Sequence, residues 1–410
     1  MLLLLACVSW AFEFDDYDSG RHLGWEQLYP AGRIMPYSGY SPPDQSNLRK
    51  DGFTLAGPAY GKAIEKLRED SLQSGMPIFA TLQAKQGEQV ISLQLLSDKD
   101  FKPDWDAICQ SLREQVQSYS AKYPGIAYWN LTPEELRYWR KNEYRYLQLA
   151  YESIKASDPL KRPVYMYIPG HYGFEALQKY VPYLDIMGKG MYVNYAGRIH
   201  ERIWVRQSSE NLNNSIRGLE KEKFTLCVPE MFQNQADGRV DRIESRVRHD
   251  VFLALACGCK GVQIFSLAKR RNFDAANYDA YYAAYSRLAK ELGGKEGLGQ
   301  VFLFGQRRAD LKGKITVGPE QLSFKPGAQK DEISLPAAYL AEFQYRKARY
   351  VVLVNSAEEK LEYEISGIPE GTQLSCAISK EKIAYEGAGR LKLELASLES
   401  RIFKLEKKSP

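Results

Sequence analysis

From residue 52 to residue 292 the chain alternates short, unbroken apolar runs with longer stretches that repeat at helical spacing. The runs are GFTLA at 52–56, MPIFATL at 76–82, QVISLQLL at 89–96, GIAYWN at 125–130, RPVYMYI at 162–168, a glycine-interrupted run across 184–193, FTLCV at 224–228 and GVQIFS at 261–266. A strand covered on both faces reads as a continuous apolar run, because neither face meets water. Between the runs, helical spacing predicts helices over 61–73, 104–123, 134–157, 173–181, 203–222, 241–257 and 278–292. Strand and helix in strict alternation predict a parallel sheet with helices outside it. About eight such units over roughly 250 residues make a (β/α)8 TIM barrel. An open doubly wound sheet is the competing arrangement. It carries a Gly-rich dinucleotide turn after its first strand, and Gly57-Pro58-Ala59-Tyr60-Gly61 does not match that pattern.

Beyond residue 310 helical periodicity gives way to alternating strands over 339–344, 349–355, 361–365, 373–378, 390–395 and 401–405, separated by turns such as 367–371. This predicts a small antiparallel β-sandwich packed on the barrel. The expected division is a leader over 1–14, the barrel over 15–305 with an early strand at 33–40, and the sandwich over 310–408.

Charge argues against nucleic acid: the net charge is +5 and no long basic block is present. Cys7, Cys109, Cys227, Cys257, Cys259 and Cys376 form no CxxC pair, and His22, His171, His200 and His249 show no metal-ligand spacing. No metal and no cofactor are therefore expected. The start, MLLLLACVSWA, is too short to cross a bilayer and reads as the end of a secretory apolar segment. Leu4-Leu5-Ala6-Cys7 matches a bacterial lipobox that would place a lipid on Cys7. The expectation is an exported protein in the periplasm, at the cell surface or secreted, touching membrane only through that anchor.

In a (β/α)8 barrel the chemistry sits where the strands end. The run at 125–130 leads into Leu131-Thr132-Pro133-Glu134-Glu135. Thr132 and Glu135 have the spacing of a capping box with Pro133 at the first helical position, which leaves Glu134 free to face the mouth. The run at 224–228 leads through Pro229 to Glu230. The bland alternatives are a solvated first-turn carboxylate for Glu134, and for Glu230 a pair with Arg239, Arg242 or Arg246. Counting units puts these two ends on the fourth and seventh strands, facing one another. Two carboxylates so placed suit glycoside hydrolysis, one protonating the leaving oxygen and the other attacking or activating water. Other residues at strand ends are Tyr60, Trp129 as a stacking platform, Asn130, His171, Lys189, Tyr192, Asn194, Gln233 and the basic group Lys269–Arg271, which could meet an acidic sugar or simply form a solvated loop. The 28 tyrosines fit a saccharide cleft or a barrel rim equally.

On these residues the chain resembles the TIM-barrel glycoside hydrolases that carry a catalytic Glu after strands four and seven and a C-terminal β-sandwich. The resemblance implies Glu134 as general acid/base, Glu230 as nucleophile, Tyr192 as the tyrosine touching the nucleophile, a retaining mechanism and an oligo- or polysaccharide partner. The family places Asn directly before the first Glu, whereas Asn130 lies upstream of Glu134. A carbohydrate-binding protein that has lost catalysis on the same barrel is the rival reading. An aldolase using Lys189 as Schiff base is another.

Overall fold

A computed structural model of the protein describes residues 45–407, apart from 60–64, 66–68, 70–77, 124, 220–222, 268, 294–296, 328–329 and 386–388. The leader, Cys7, the early strand at 33–40, most of the helix at 61–73 and Tyr60 lie outside the described residues.

Seven parallel strands form one sheet in chain order: β1 (Ala56–Ala59), β2 (Ile78–Gln83), β3 (Ile126–Thr132), β4 (Val164–Ile168), β5 (Ile186–Met191), β6 (Phe224–Pro229) and β7 (Gly261–Val262). Each pairs with the next, which is the singly wound order of a barrel rather than the reversing order of an open sheet. The described α-helices are α1 (Gln45–Lys50), α2 (Leu93–Ser97), α3 (Trp105–Lys122), α4 (Lys141–Ser157), α5 (Phe174–Gln178), α6 (Trp204–Ser215), α7 (Ile243–Ala256), α8 (Ala275–Leu292) and α9 (Gly299–Phe304).

Side-chain alternation along each strand separates an axial face from a helix-facing one. Phe79, Tyr128 and Tyr165 point to the axis, with Phe79 and Tyr128 stacked at 4.9 Å. The Tyr128 hydroxyl crosses the interior to donate to Gln263 beyond β7 at 3.0 Å. The glycines that interrupt β5 make room for this filling. A Cβ on Gly188 would lie 2.3 Å from the Tyr165 ring, and one on Gly190 2.3 Å from the Tyr167 hydroxyl.

Three expectations are corrected. The run at 89–96 is not a barrel strand. Only Gln89–Val90 is extended, in a hairpin with Lys85–Gln86, and Ser92 then caps α2 by accepting from the Leu95 amide at 3.1 Å. A short apolar run carries no periodicity to separate strand from helix, and the serine cap decides it. Without that strand, β3 and β6 stand third and sixth among the described strands, still three apart. Second, β1 begins at Ala56 and runs through the Gly57-Pro58 pair expected to end it, at an irregularity in its register with β2. Third, α4 starts at Lys141, not at 134, so no capping box forms at Thr132–Glu135. Residues 133–140 form a loop braced by the buried Glu143 carboxylate, which accepts from the Arg137 amide at 2.7 Å and from its guanidinium.

The C-terminal part is antiparallel. A sheet of six strands carries Ala338–Tyr345, Ala348–Asn355 and Ser400–Lys407 at its centre, and a three-stranded sheet, Lys312–Val317, Leu361–Ser366 and Arg390–Leu395, covers one face. Val351, Leu353, Phe403 and Leu405 face that smaller sheet, while Val352, Val354 and Ile402 join the barrel core. Helix α7 is therefore covered on all sides, which accounts for its unbroken run Val251–Ala256.

Replacing Gly188 by Ala forces a methyl into the Tyr165 ring, and overpacking of this kind costs about 1–3 kcal/mol. We expect a lower urea midpoint with an unchanged slope for Gly188→Ala; a wild-type midpoint would mean that the β4 tyrosines withdraw freely.

Candidate active site

Glu230 continues the axial set Leu226, Val228 past the end of β6 and is buried. Its backbone bridges to Phe265, and its carbonyl accepts from the Tyr285 hydroxyl at 3.1 Å. Its carboxylate is held from above by the turn after β5. The amide of Asn194 donates to Oε1, and that of Tyr195 to Oε2 at 2.9 Å. The Asn194 side chain clamps that turn, donating to the Asn234 carbonyl at 2.9 Å and accepting from the Ala236 amide at 2.8 Å. None of the three arginines considered as simple partners pairs with Glu230. Arg239 takes Asp241, Arg242 takes Glu358 and Arg246 takes Asp237.

A buried chain of charge lies beyond Glu230. Arg202 pairs with Asp250, whose other oxygen is 2.8 Å from His249 Nδ1, and His249 Nε2 is 2.9 Å from Ser356 Oγ in the sandwich. Arg202, His249, Asp250 and Ser356 are all buried. The Ser–His–Asp order resembles a nucleophile relay, but sealed between α7 and the sandwich it has no route for a substrate. Burial works to raise Asp250, and Arg202 and His249 outweigh it, holding Asp250 below its usual value.

Glu134 lies on the loop after β3 and is half-buried. Asn130, buried on β3, donates to Thr81 Oγ1 at 3.1 Å and more weakly to Glu134 at 3.5 Å. Glu135 is exposed, with φ +61°. Burial pushes Glu134 up to about 7, with Asn130 opposing and Glu135 adding to the rise. Burial also pushes Glu230 up to about 7, opposed by the Asn194 and Tyr195 amides and by Arg202. The values match, but the partners differ. Glu230 has fixed donors that hold its anion, whereas Glu134 has one weak donor and a repelling neighbour. That asymmetry leaves an anion better supported at Glu230 than at Glu134.

The two sites share a wall. Tyr192 sits next to the turn that binds Glu230, stacks on Tyr167 at 5.7 Å and feels the Glu134 charge. Phe232 and Phe265 complete the cluster around Tyr192, at 5.2 and 5.8 Å. Trp139 and Tyr195 are 56% and 67% exposed at this end.

Of the sequence candidates, Glu134, Asn130, Glu230, Asn194 and Tyr192 come together. Two are corrected. Trp129 is no platform: its parity turns it outward, where its indole donates to Asp158 at 2.9 Å under the Arg162 guanidinium. Lys189 likewise faces the helices, buried, with Nζ 3.5 Å from the Ser208 carbonyl. Burial lowers its amine to about 7, but it faces away from the mouth, which removes the aldolase reading. His171 is exposed against Tyr172, and Gln233 is half-buried beside the cluster. Tyr167, Arg202, His249 and Asp250 were not legible as site residues; only the charged positions inside the apolar face of α7 hinted at the last two. Among the described residues no group of three or more His, Cys, Asp or Glu is placed to hold a metal ion.

No family model matches the chain, and no curated protein matches it in sequence. Solved structures share its fold. A GH27 β-L-arabinopyranosidase variant from Geobacillus stearothermophilus, in complex with arabinose, is similar at TM-score 0.55 and 10% identity over 95% of this chain and 100% of that one. An Anoxybacillus α-amylase is similar at TM-score 0.55 and 11% identity over 90% of each chain. A maltogenic α-amylase from Thermotoga neapolitana is similar at TM-score 0.54 and 12% identity over 91% of this chain and 98% of that one. The architecture is thus a TIM barrel with antiparallel β-sheets behind it, the fold that glycoside hydrolases use.

Glu230 should titrate as its neighbours dictate. Removing the Arg202 charge, as in Arg202→Met, should raise its midpoint above about 7 in a 13C-glutamate NMR titration, with Glu230→Gln assigning the signal. A carboxyl whose folded pKa is raised penalises the fold once ionised, so the penalty develops as pH climbs from the unfolded value through the folded one. Glu230→Gln should therefore gain stability over wild type between pH 5 and pH 8, by about 1–3 kcal/mol of unfolding free energy at the upper end, read from urea unfolding. An unchanged difference across that range would contradict the burial account.

Proposed function

We propose that the protein is an exported glycoside hydrolase that cleaves glycosidic bonds with Glu134 as general acid/base and Glu230 as nucleophile. The observation that carries this reading is the pair itself. Two glutamates just beyond strands three apart in the sheet, each lifted by burial, stand in differently furnished surroundings beside the Tyr167–Tyr192 stack. Such a pair splits into an acid and a carboxylate, the requirement for hydrolysis through an oxocarbenium-like transition state. Trp139 and Tyr195 supply the apolar faces a pyranose needs, and Asn130 a hydrogen-bonding edge. The structures that share the fold include an α-amylase and an arabinopyranosidase bound to arabinose. The leader sequence supports export, and the lipobox supports an anchor at Cys7.

In the retaining course, Glu134 protonates the leaving oxygen while Glu230 attacks the anomeric carbon, and Glu134 then draws the proton from the water that releases the sugar. Asn194 and Tyr195 hold the nucleophile through amides rather than side chains, so the carboxylate stays aimed without losing its negative charge to a full ion pair.

The second reading, a saccharide-binding protein without hydrolysis, is favoured by one feature: Glu134 reaches the mouth from a loop rather than from the strand end beside Asn130. A glycoside panel separates the two. Glu134→Gln and Glu230→Gln should each lower hydrolysis by at least about 10²–10⁴-fold, azide should restore the Glu230→Gly variant as a glycosyl azide, and NMR of the first product should show retained anomeric configuration. Binding that persists in wild type with no hydrolysis on any glycoside would establish the binder instead.

A further inference from the structure

Several barrel arginines, most of them at least partly buried, are paired with carboxylates. Arg137 is paired with Glu143, Arg162 with Asp158, Arg202 with Asp250, Arg206 with Glu210, Arg246 with Asp237 and Arg248 with Glu291. Arg270 is held differently. Its guanidinium lies over the Phe232 ring at 5.1 Å and over the Phe265 ring at 5.2 Å. Among the described residues, no carboxylate comes within ion-pair distance of it, nor of its neighbours Lys269 and Arg271. The loop's one acid, Asp274, is committed to capping α8 through the Asn277 amide and side chain.

The two rings that hold Arg270 belong to the site. Phe265 bridges to the Glu230 backbone, Phe232 stands two residues beyond Glu230, and both pack on Tyr192. Two aromatic contacts restrict a long side chain that would otherwise sample many rotamers, and the residue is exposed. A fixed, planar, unpaired guanidinium is the arrangement that takes an oxyanion through paired hydrogen bonds with little further ordering. Lys269 and Arg271, both exposed, add positive potential to the same rim.

We propose that Arg270 is a specificity-determining residue that binds the anionic substituent of a sugar, so that the saccharide taken at this site is a uronate-bearing or sulfated glycan rather than a neutral one. The inference rests on the saccharide reading of the site, but it concerns recognition and is tested by binding, apart from hydrolysis.

The experiment is calorimetric titration of the full chain with hexasaccharides: oligogalacturonate and oligomannuronate as uronates, a carrageenan hexasaccharide as sulfate ester, and galacto-, manno- and xylohexaose as neutral counterparts. At least one anionic ligand should bind on the order of tenfold or more tighter than its neutral counterpart. The preference should fade as salt rises. Arg270→Met keeps the apolar contact with both rings and removes the charge, so it should abolish the preference while leaving the melting temperature near wild type; Arg270→Lys should retain part of it. Binding of the uronates alone identifies the carboxylate as the ligand, and binding of the carrageenan alone identifies the sulfate. Equal binding of neutral and anionic ligands, no binding of any anionic ligand, or a preference that survives Arg270→Met would each overturn the proposal. Anionic ligands that bind but are never cleaved would leave this inference standing and remove the hydrolase reading.

Discussion

Taking a carboxylate out of water is the constraint around which this structure is arranged. An isolated anion in an apolar barrel end would simply take up a proton. Glu230 instead meets two backbone amides, from Asn194 and Tyr195, whose positions are fixed by the chain and not by a flexible side chain. Those amides are available because the turn after β5 leaves them without strand partners, and because the Asn194 side chain bolts that turn to the loop after β6. Arg202 then adds positive charge from behind, itself steadied by Asp250. Glu134 has no such support. The difference between the two surroundings, more than the presence of two acids, sets the two carboxylates apart.

The sandwich takes part in this arrangement. Helix α7 carries both the apolar run Val251–Ala256 and the His249-Asp250 pair. A helix with polar groups inside its covered face is stable only if each finds a partner. Asp250 finds Arg202 toward the barrel, and His249 finds Ser356 from the sandwich. The layer that hides the apolar residues from water therefore also completes the hydrogen-bonding chain behind Glu230.

The barrel was legible in the sequence because parallel strands covered on both sides leave a distinctive mark, short runs such as FTLCV with no polar alternation. The sandwich strands were legible from the opposite mark, period-two alternation. The failures have common physical causes. At 89–96 the apolar run was too short to show a period, and one serine cap turned it into a helix. At 134–140 the local capping pattern was sound, but Glu143, in the first turn of α4, claimed the Arg137 amide and drew the segment into a loop. Trp129 and Lys189 were misassigned because strand parity, not proximity to a strand end, decides which face a residue meets. Neighbours in sequence face opposite ways, so Asn130 reaches the mouth and Trp129 cannot. Arg202 and Tyr167 depend on contacts with neighbouring units that no local pattern records.

The glycines of β5 have a consequence for how such a mouth can vary. With no side chain at positions 188 and 190, the floor beneath the two acids is laid by tyrosines reaching across from the adjacent strand. The depth of the hollow is thus decided by one strand's large residues and its neighbour's emptiness together. Neither can drift alone: a bulkier β5 needs smaller rings on β4, and smaller rings would open a shaft down the axis. Any lineage reshaping this cleft for a larger or smaller guest would have to change both strands in concert.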